Sequence, residues 1–244
     1  MRLVAAVAAA VLVLAGCGGG DEPRLVVSAA SSMTEPLGEC SSDFDGADVR
    51  LSFAGSDELA AQIRQGVKPD VYAAANTKLP EALHEEGLLS EPVEFASNEL
   101  VIAVPPDSDV RDSGDLTRPG VKVAIGSESV PIGSYTRELL SRLPGDEGSR
   151  ILANVRSNEP DVQGIVGKLT QGAADAGFVY VTDVKAADGR LRAVKLPADL
   201  EPDVRYAAGV VKGAKRPDDA REFVAGLRSG GCARALAKAG FGAP

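Results

Sequence analysis

The sequence predicts an α/β protein with mainly parallel sheets flanked by helices. Three observations carry that prediction. Short β-branched or alternating runs recur along the chain, each followed closely by a segment of helical period. The junctions at residues 28–34, 54–56 and 126–134 are made of small residues and serines. The alternation itself implies crossover helices, and hence strands that run the same way. A helix that starts beyond a strand's carboxyl end leaves hydroxyls and free N–H groups where open α/β sheets hold ligands. The helix dipole favours negative charge there.

Taken in order, residues 25–27 form an apolar strand, and Leu37, Cys40 and Phe44 then follow at helical spacing. Ser32-x-x-Glu35 fits a capping box, and Pro36 is tolerated because it lies in the same first turn. Taken alone, Ser32 reads as a helix cap. Residues 49–53 alternate as a second strand ending in Ala54-Gly55-Ser56. Ser56 caps the next helix, with Asp57 and Glu58 in its first turn, Leu59 and Ile63 on one face, and Gly66 as its stop. Residues 71–75 are a strand and 76–88 a helix closed by Gly87. Strands at 100–104 and 121–125 precede a loop, 126–134, that has no apolar period and leads into a helix at 135–143. Val162, Ile165, Val166 and Leu169 share one helical face, with Asn158 as cap and Gly172 as stop. Strands follow at 176–181, which carries Tyr180, and at 191–196 and 204–211, before a C-terminal helical region that starts at Pro217.

Residues 1–16 read as a secretory signal: Arg2 is followed by a short apolar run that ends in Leu14-Ala15-Gly16-Cys17. The L-A-G-C ending resembles a bacterial lipobox, which makes Cys17 the lipidated residue and 17–24 a polar tether. Residues 17–244 suffice for one large domain or two small lobes. The formal net charge of the full chain is -9, and it becomes one unit more negative when Arg2 leaves with the signal. So acidic a chain, without a basic patch interleaved with aromatics, is not expected to bind nucleic acid. Cys40 and Cys232 are the cysteines left after Cys17. Outside the cytosol an even pair reads as a disulfide, while Cys40 also fits as a small core residue on the first helix's apolar face.

His84 is the single histidine and sits among charged residues, which suggests a solvated surface position. One histidine supplies no zinc or copper ligand set, and no G-x-S-x-G elbow or P-loop occurs. An enzyme is therefore not expected. What remains is a set of uncharged donors: Ser32, Ser56, the turn at 130–133, the helix start at Asp161-Val162, and Tyr180. Donors alone suit an anion that carries no proton.

The segments A-A-S-S-M-T, S-F-A-G-S-x-E-L-A, P-D-V-Y-A-A-A-N, V-P-I-G-S-Y, D-V-Q-G-I-V and A-D-A-G-F-V-Y-V-T-D, in this order, resemble the extracytoplasmic molybdate-binding proteins of ABC importers. The resemblance implies a two-lobed type II periplasmic-binding-protein architecture. Lobe 1 would comprise 25–97 plus 204–244, and lobe 2 would comprise 98–203. It implies molybdate as ligand, with tungstate accepted as well, delivery to an ABC permease, no resident cofactor, and a monomer anchored to the cell membrane through its lipid. Ligand contacts would come from the Ser32 and Ser56 hydroxyls, the backbone N–H groups of Ile132 and Val162, and the Tyr180 hydroxyl, with Ser31 as the alternative to Ser32. The chain departs from the commoner family pattern at Ile132, where a small residue is usual, and at Pro160; Asp57 adds a carboxylate beside Ser56. The competing readings are a binding protein for another oxyanion, such as sulfate or phosphate, and a lipid-anchored hydrolase.

The lipobox reading makes a direct prediction. Cys17→Ser should shift the protein from the membrane fraction to the soluble one, as followed by fractionation and immunoblot. A wild-type protein already found in the soluble fraction would contradict it.

Overall fold

The computed structural model describes residues 24–244, so the signal, Cys17 and most of the tether lie outside the described residues. The first half of the chain runs β1 (Leu25–Ala30), α1 (Thr34–Ser42), β2 (Val49–Ala54), α2 (Ser56–Arg64), β3 (Val71–Ala74), α3 (Lys78–Glu85), β4 (Val93–Asn98), β5 (Leu100–Val104), β6 (Val123–Gly126) and α4 (Pro131–Arg142). It continues through α5 (Glu147–Ala153), β7 (Val155–Glu159), α6 (Val162–Thr170), β8 (Ala176–Tyr180), α7 (Val181–Ala186), β9 (Arg192–Val194), β10 (Val204–Val210), α8 (Pro217–Gly226) and α9 (Gly230–Ala239).

The strands form two five-stranded sheets, ordered β2-β1-β3-β10-β4 and β7-β6-β8-β5-β9. The two share one plan. In the first, β1 pairs parallel with β2 and β3, and β10 lies antiparallel between β3 and β4. In the second, β6 pairs parallel with β7 and β8, and β5 lies antiparallel between β8 and β9. In each sheet, then, the reversed strand is the one on which the chain arrives from the other sheet. The central strands are buried on both faces, as in sheets sandwiched by helices. Leu100, Val101, Ile102, Ala103 and Val104 are all buried, which explains a run with no polar alternation.

Several elements differ from the sequence expectation. Ser32 does not cap a helix: Ser31–Met33 form a 3-10 turn, Met33 is the N-cap of α1, and no side chain caps it. Gly55 is the N-cap of α2, with Ser56 its first residue. α4 begins at Pro131 and not at residue 135, because proline's fixed φ and missing N–H suit the first helical position. The α6 cap is Asp161 and not Asn158: its Oδ1 accepts the Gly164 N–H at 2.9 Å. β4, β7, α5 and α7 are absent from the sequence reading. β7 is a half-exposed edge strand with a polar sequence, V-R-S-N-E, and α5 and α7 are only two turns or fewer.

Two features tie the first sheet to the chain's ends. The Cys40 and Cys232 sulfurs are bonded, which joins α1 to α9 across 192 positions with the Cα atoms 4.7 Å apart. In the chain-entropy model so long a loop contributes at most about 5 kcal/mol. Asp70 is 1% exposed. Its Oδ2 accepts the Val26 N–H at 2.8 Å, and its Oδ1 accepts the N–H groups of Lys215 and Arg216 at 2.6 and 2.9 Å. One carboxylate thus pins β1 and the loop after β10 to the start of β3. Asp70→Ala would orphan three backbone donors, each costing about 1–3 kcal/mol if it stays dry. The expected loss is about 3 kcal/mol or more in denaturant unfolding, with a smaller loss for Asp70→Asn, which keeps one acceptor. Equal stability of Asp70→Ala and wild type would refute the role.

Candidate functional site

The carboxyl ends of β1, β2 and β3 face the starts of α4 and α6 from the other sheet across a narrow cleft. Its lining includes Ser31, Ser32, Gly55, Ser56, Ile132, Val162 and Tyr180. The five residues named as ligand groups from sequence therefore meet in one place, although they come from both halves of the fold. About 10 Å³ remains at its centre, room for one water-sized group. A far larger groove, about 1220 Å³, lies at the distal end of the first sheet between α3 and α8, and it contains none of these residues.

Three hydroxyls reach the cleft, from Ser32, Ser56 and Tyr180. The Ser56 Oγ accepts the Ala75 N–H at 3.1 Å, so its own proton is free. Tyr72 Oη donates to the Ser56 carbonyl at 2.7 Å and fixes that turn. Ser32 Oγ lies 3.0 Å from Tyr206 Oη, and Asn98 Nδ2 donates to Tyr206 Oη at 3.4 Å. In the arrangement where the Tyr206 hydroxyl donates to Ser32, the Ser32 proton is left to point into the cleft. Tyr180 Oη is buried and makes no hydrogen bond of good geometry, although it interacts with the neighbouring Tyr206 hydroxyl. Burial, first of all, and then the nearby Tyr206 push that hydroxyl well above the ordinary phenol range, so it stays protonated.

Backbone donors complete the set. The first N–H groups of α2, α4 and α6 have no intrahelical acceptor. Those of Ile132 and Val162 lie at such starts. The turn before α4 is tight: a Cβ on Gly133 would lie 1.8 Å from the Ser127 carbonyl oxygen, so only glycine fits. Arg137 holds the turn, donating from Nη1 to the Gly126 and Gly133 carbonyls at 2.9 and 3.1 Å. The cleft lining contains no lysine, arginine or histidine among the described residues; its one charged member is Asp161, which caps α6.

Three features of the site have no local sequence signal. Ser129 Oγ donates to Asp57 Oδ2 at 2.6 Å, a bond from one half of the fold to the other, while Asp57 Oδ1 is buried without a donor. A Cβ on Gly55 would lie 2.5 Å from the Pro160 carbonyl oxygen, so the two backbones nearly touch across the cleft. Asp183, buried beneath Tyr180, accepts the Tyr180 N–H on Oδ2 at 3.1 Å and the Gln163 amide on Oδ1 at 3.0 Å. Burial raises its carboxyl to about 7, and Asp161 adds to the rise against those two donors. His84 stands exposed on α3, with Nδ1 3.1 Å from the Leu89 carbonyl oxygen, and takes no part in the cleft.

The orphaned hydroxyl of Tyr180 has a measurable consequence. A buried, unsatisfied donor costs about 1–3 kcal/mol. Tyr180→Phe should therefore leave the ligand-free protein as stable as wild type or more stable, by up to about 2 kcal/mol in denaturant unfolding. A clear loss of stability would show that the hydroxyl has a protein partner.

Residues 25–242 match the family model described as bacterial extracellular solute-binding protein. The molybdate-binding protein ModA of Mycobacterium tuberculosis is 35% identical over 227 residues, covering 90% of this chain and 85% of that one. A putative ABC transporter substrate-binding lipoprotein of Bacillus subtilis, YvgL, is 28% identical over 248 residues, covering 95% and 94%. Among solved structures, the periplasmic molybdate-binding protein of Azotobacter vinelandii superposes with a TM-score of 0.80 at 21% identity, covering 91% of this chain and 100% of that one. That likeness shows the two-lobed type II periplasmic-binding fold.

Proposed function

The chain belongs to the bacterial extracellular solute-binding proteins, and we propose that it captures molybdate between its two lobes and hands it to an ABC importer. The observation that carries this reading is a closed cleft in which three hydroxyls and two helix starts can offer donors, without a lysine, arginine or histidine among the described lining residues. Such a site neutralises a dianion by hydrogen bonds alone, and closure strengthens each bond by excluding water. The ligand contacts are assigned to Ser32, Ser56, Ile132, Val162 and Tyr180. The Mycobacterium tuberculosis relative, named a molybdate-binding protein, supports the choice of oxyanion.

Tungstate has the same charge and nearly the same size, and the same donors accept it. Hydrogen phosphate carries a proton that needs an acceptor, and the five contact groups are assigned as donors. Sulfate, with shorter bonds, leaves some donors stretched. The protein acts as a binding monomer with no catalytic step and no cofactor of its own. Its anchor is a lipid on Cys17; the Bacillus subtilis relative named a lipoprotein supports this. With only about 10 Å³ at the cleft's centre, the lobes must part to admit a tetrahedral oxyanion.

Calorimetry with molybdate, tungstate, sulfate and phosphate tests the proposal. A hydrogen bond to a charged group is worth about 1.5–3 kcal/mol. Two compromised contacts therefore give a preference for molybdate over sulfate of roughly a hundredfold to ten-thousandfold. Tyr180→Phe and Ser56→Ala should each weaken molybdate by about ten- to a hundredfold. Equal affinities for molybdate and sulfate in wild type, or no loss in either variant, would overturn the assignment.

A further inference from the structure

We infer that Asp183 is a positioning residue for the oxyanion site and takes up a proton when the cleft closes on its ligand. This rests on the oxyanion reading above and adds to it a second, buried participant behind the donors. The geometry is that of a brace. Asp183 holds the backbone N–H of Tyr180 with one oxygen and the side chain of Gln163 with the other. Tyr180 carries the orphaned hydroxyl, and Gln163 directly follows Val162 at the start of α6. One carboxylate therefore fixes two of the five donor segments relative to each other.

Its position also couples it to the charge of the ligand. Asp183 lines a second cavity together with Glu35, Gln163 and Thr182, and that cavity shares Ser31 and Ser32 with the ligand cleft. The carboxylate thus sits on the far side of the Ser31-Ser32 turn from the anion. It is 3% exposed, so water screens little of the repulsion. The groups that face it give no compensating cation. From α6 come Asp161 and Gln163, from β8 and β10 the neutral phenols Tyr180 and Tyr206, and from the first turn of α1 comes Glu35. On α7 itself, Lys185 is turned away to the Lys238 carbonyl of α9, and Lys238 pairs with Glu39. Of the strands packed on α7, β9 offers Arg192, which is held by the Ser108 and Val110 carbonyls; before β5, the Glu99 carbonyl takes the Val181 N–H.

A dianion entering this wall meets an ionised Asp183 with repulsion and a protonated one without it. The proton comes from solvent and forms an O–H bond on Oδ1. That hydroxyl then donates to the Gln163 side chain, whose amide turns over to present its oxygen, while Oδ2 keeps the Tyr180 N–H. Burial raises the carboxyl to about 7 in the closed, ligand-free cleft, so Asp183 changes its charge within the neutral range. The sign follows. Below that value Asp183 is already protonated and binding moves no proton. Above it, binding must draw one in, so affinity falls as pH rises.

Calorimetry of the full protein with sodium molybdate, repeated near pH 7.5 in buffers of different ionisation enthalpy, reads the proton directly. Molybdate itself stays a dianion throughout this range. Wild type should take up a sizeable fraction of one proton per ligand, and its affinity should drop about three- to tenfold from pH 6.5 to 8.5. Asp183→Asn keeps one acceptor for the Tyr180 N–H and an amide for the turned Gln163. It should bind with no proton uptake and a flat pH profile. Binding by wild type without proton uptake overturns this inference and leaves the oxyanion reading intact; so does uptake that persists in Asp183→Asn. Absence of molybdate binding at every pH overturns both.

Discussion

A dry hydroxyl with nothing to donate to is the constraint on which the rest of this architecture depends. Tyr180 is buried at the end of β8 with its oxygen unpartnered, a costly state that a ligand accepting its proton would relieve. Tyr206 lies behind it with the rings 5.9 Å apart, and it packs edge-on against Phe95 and Phe241 as well. The Tyr206 hydroxyl is hydrogen-bonded to Ser32. The aromatic cluster therefore serves two ends: it fills the space behind the site with apolar surface, and it holds the Ser32 hydroxyl in place through Tyr206.

The same logic explains why neutral groups line the cleft. A lysine or arginine would bind anions of many shapes through a charge that acts at a distance. Hydroxyls and backbone N–H groups act over hydrogen-bond range only, so the position of each donor would read the size of a bound anion. Those positions are held by groups one layer out, Tyr72 behind Ser56, Arg137 behind the α4 turn and Asp183 behind Tyr180. The Asp57–Ser129 bond and the Gly55–Pro160 approach add contacts between the halves that involve no ligand atoms. Closure thus has a contribution from the protein itself.

Much of this was legible in the sequence because it is local. The strand at 100–104 is uniformly apolar, the face of α6 repeats at helical spacing, and the donor residues sit in recognisable segments. The bonds that adjust the donors were not legible, because they join distant positions. Ser32 and Tyr206 are 174 residues apart, and Ser129 and Asp57 are 72 apart. The Ser32-x-x-Glu35 pattern was locally sound as a capping box, yet tertiary structure claimed the serine oxygen for Tyr206. The start of α4 did have a signal, Pro131 before Gly133, but its serine-rich surroundings lack the apolar period that marks a helix.

The order of strands also sets an order of assembly. Every strand of the second sheet comes from one uninterrupted run of chain, β5 to β9, so that sheet has all its partners before the C-terminal forty residues exist. The first sheet does not. Its fourth member, β10, belongs between β3 and β4, and α9 must then reach Cys40 on α1 before the disulfide can form. A chain emerging from its amino end therefore carries a split first sheet, with the edge of β3 unpaired, until synthesis is nearly over. The half that supplies Ser32 and Ser56 is the last to be completed, and a chain cut short before β10 has no Tyr206 behind Ser32.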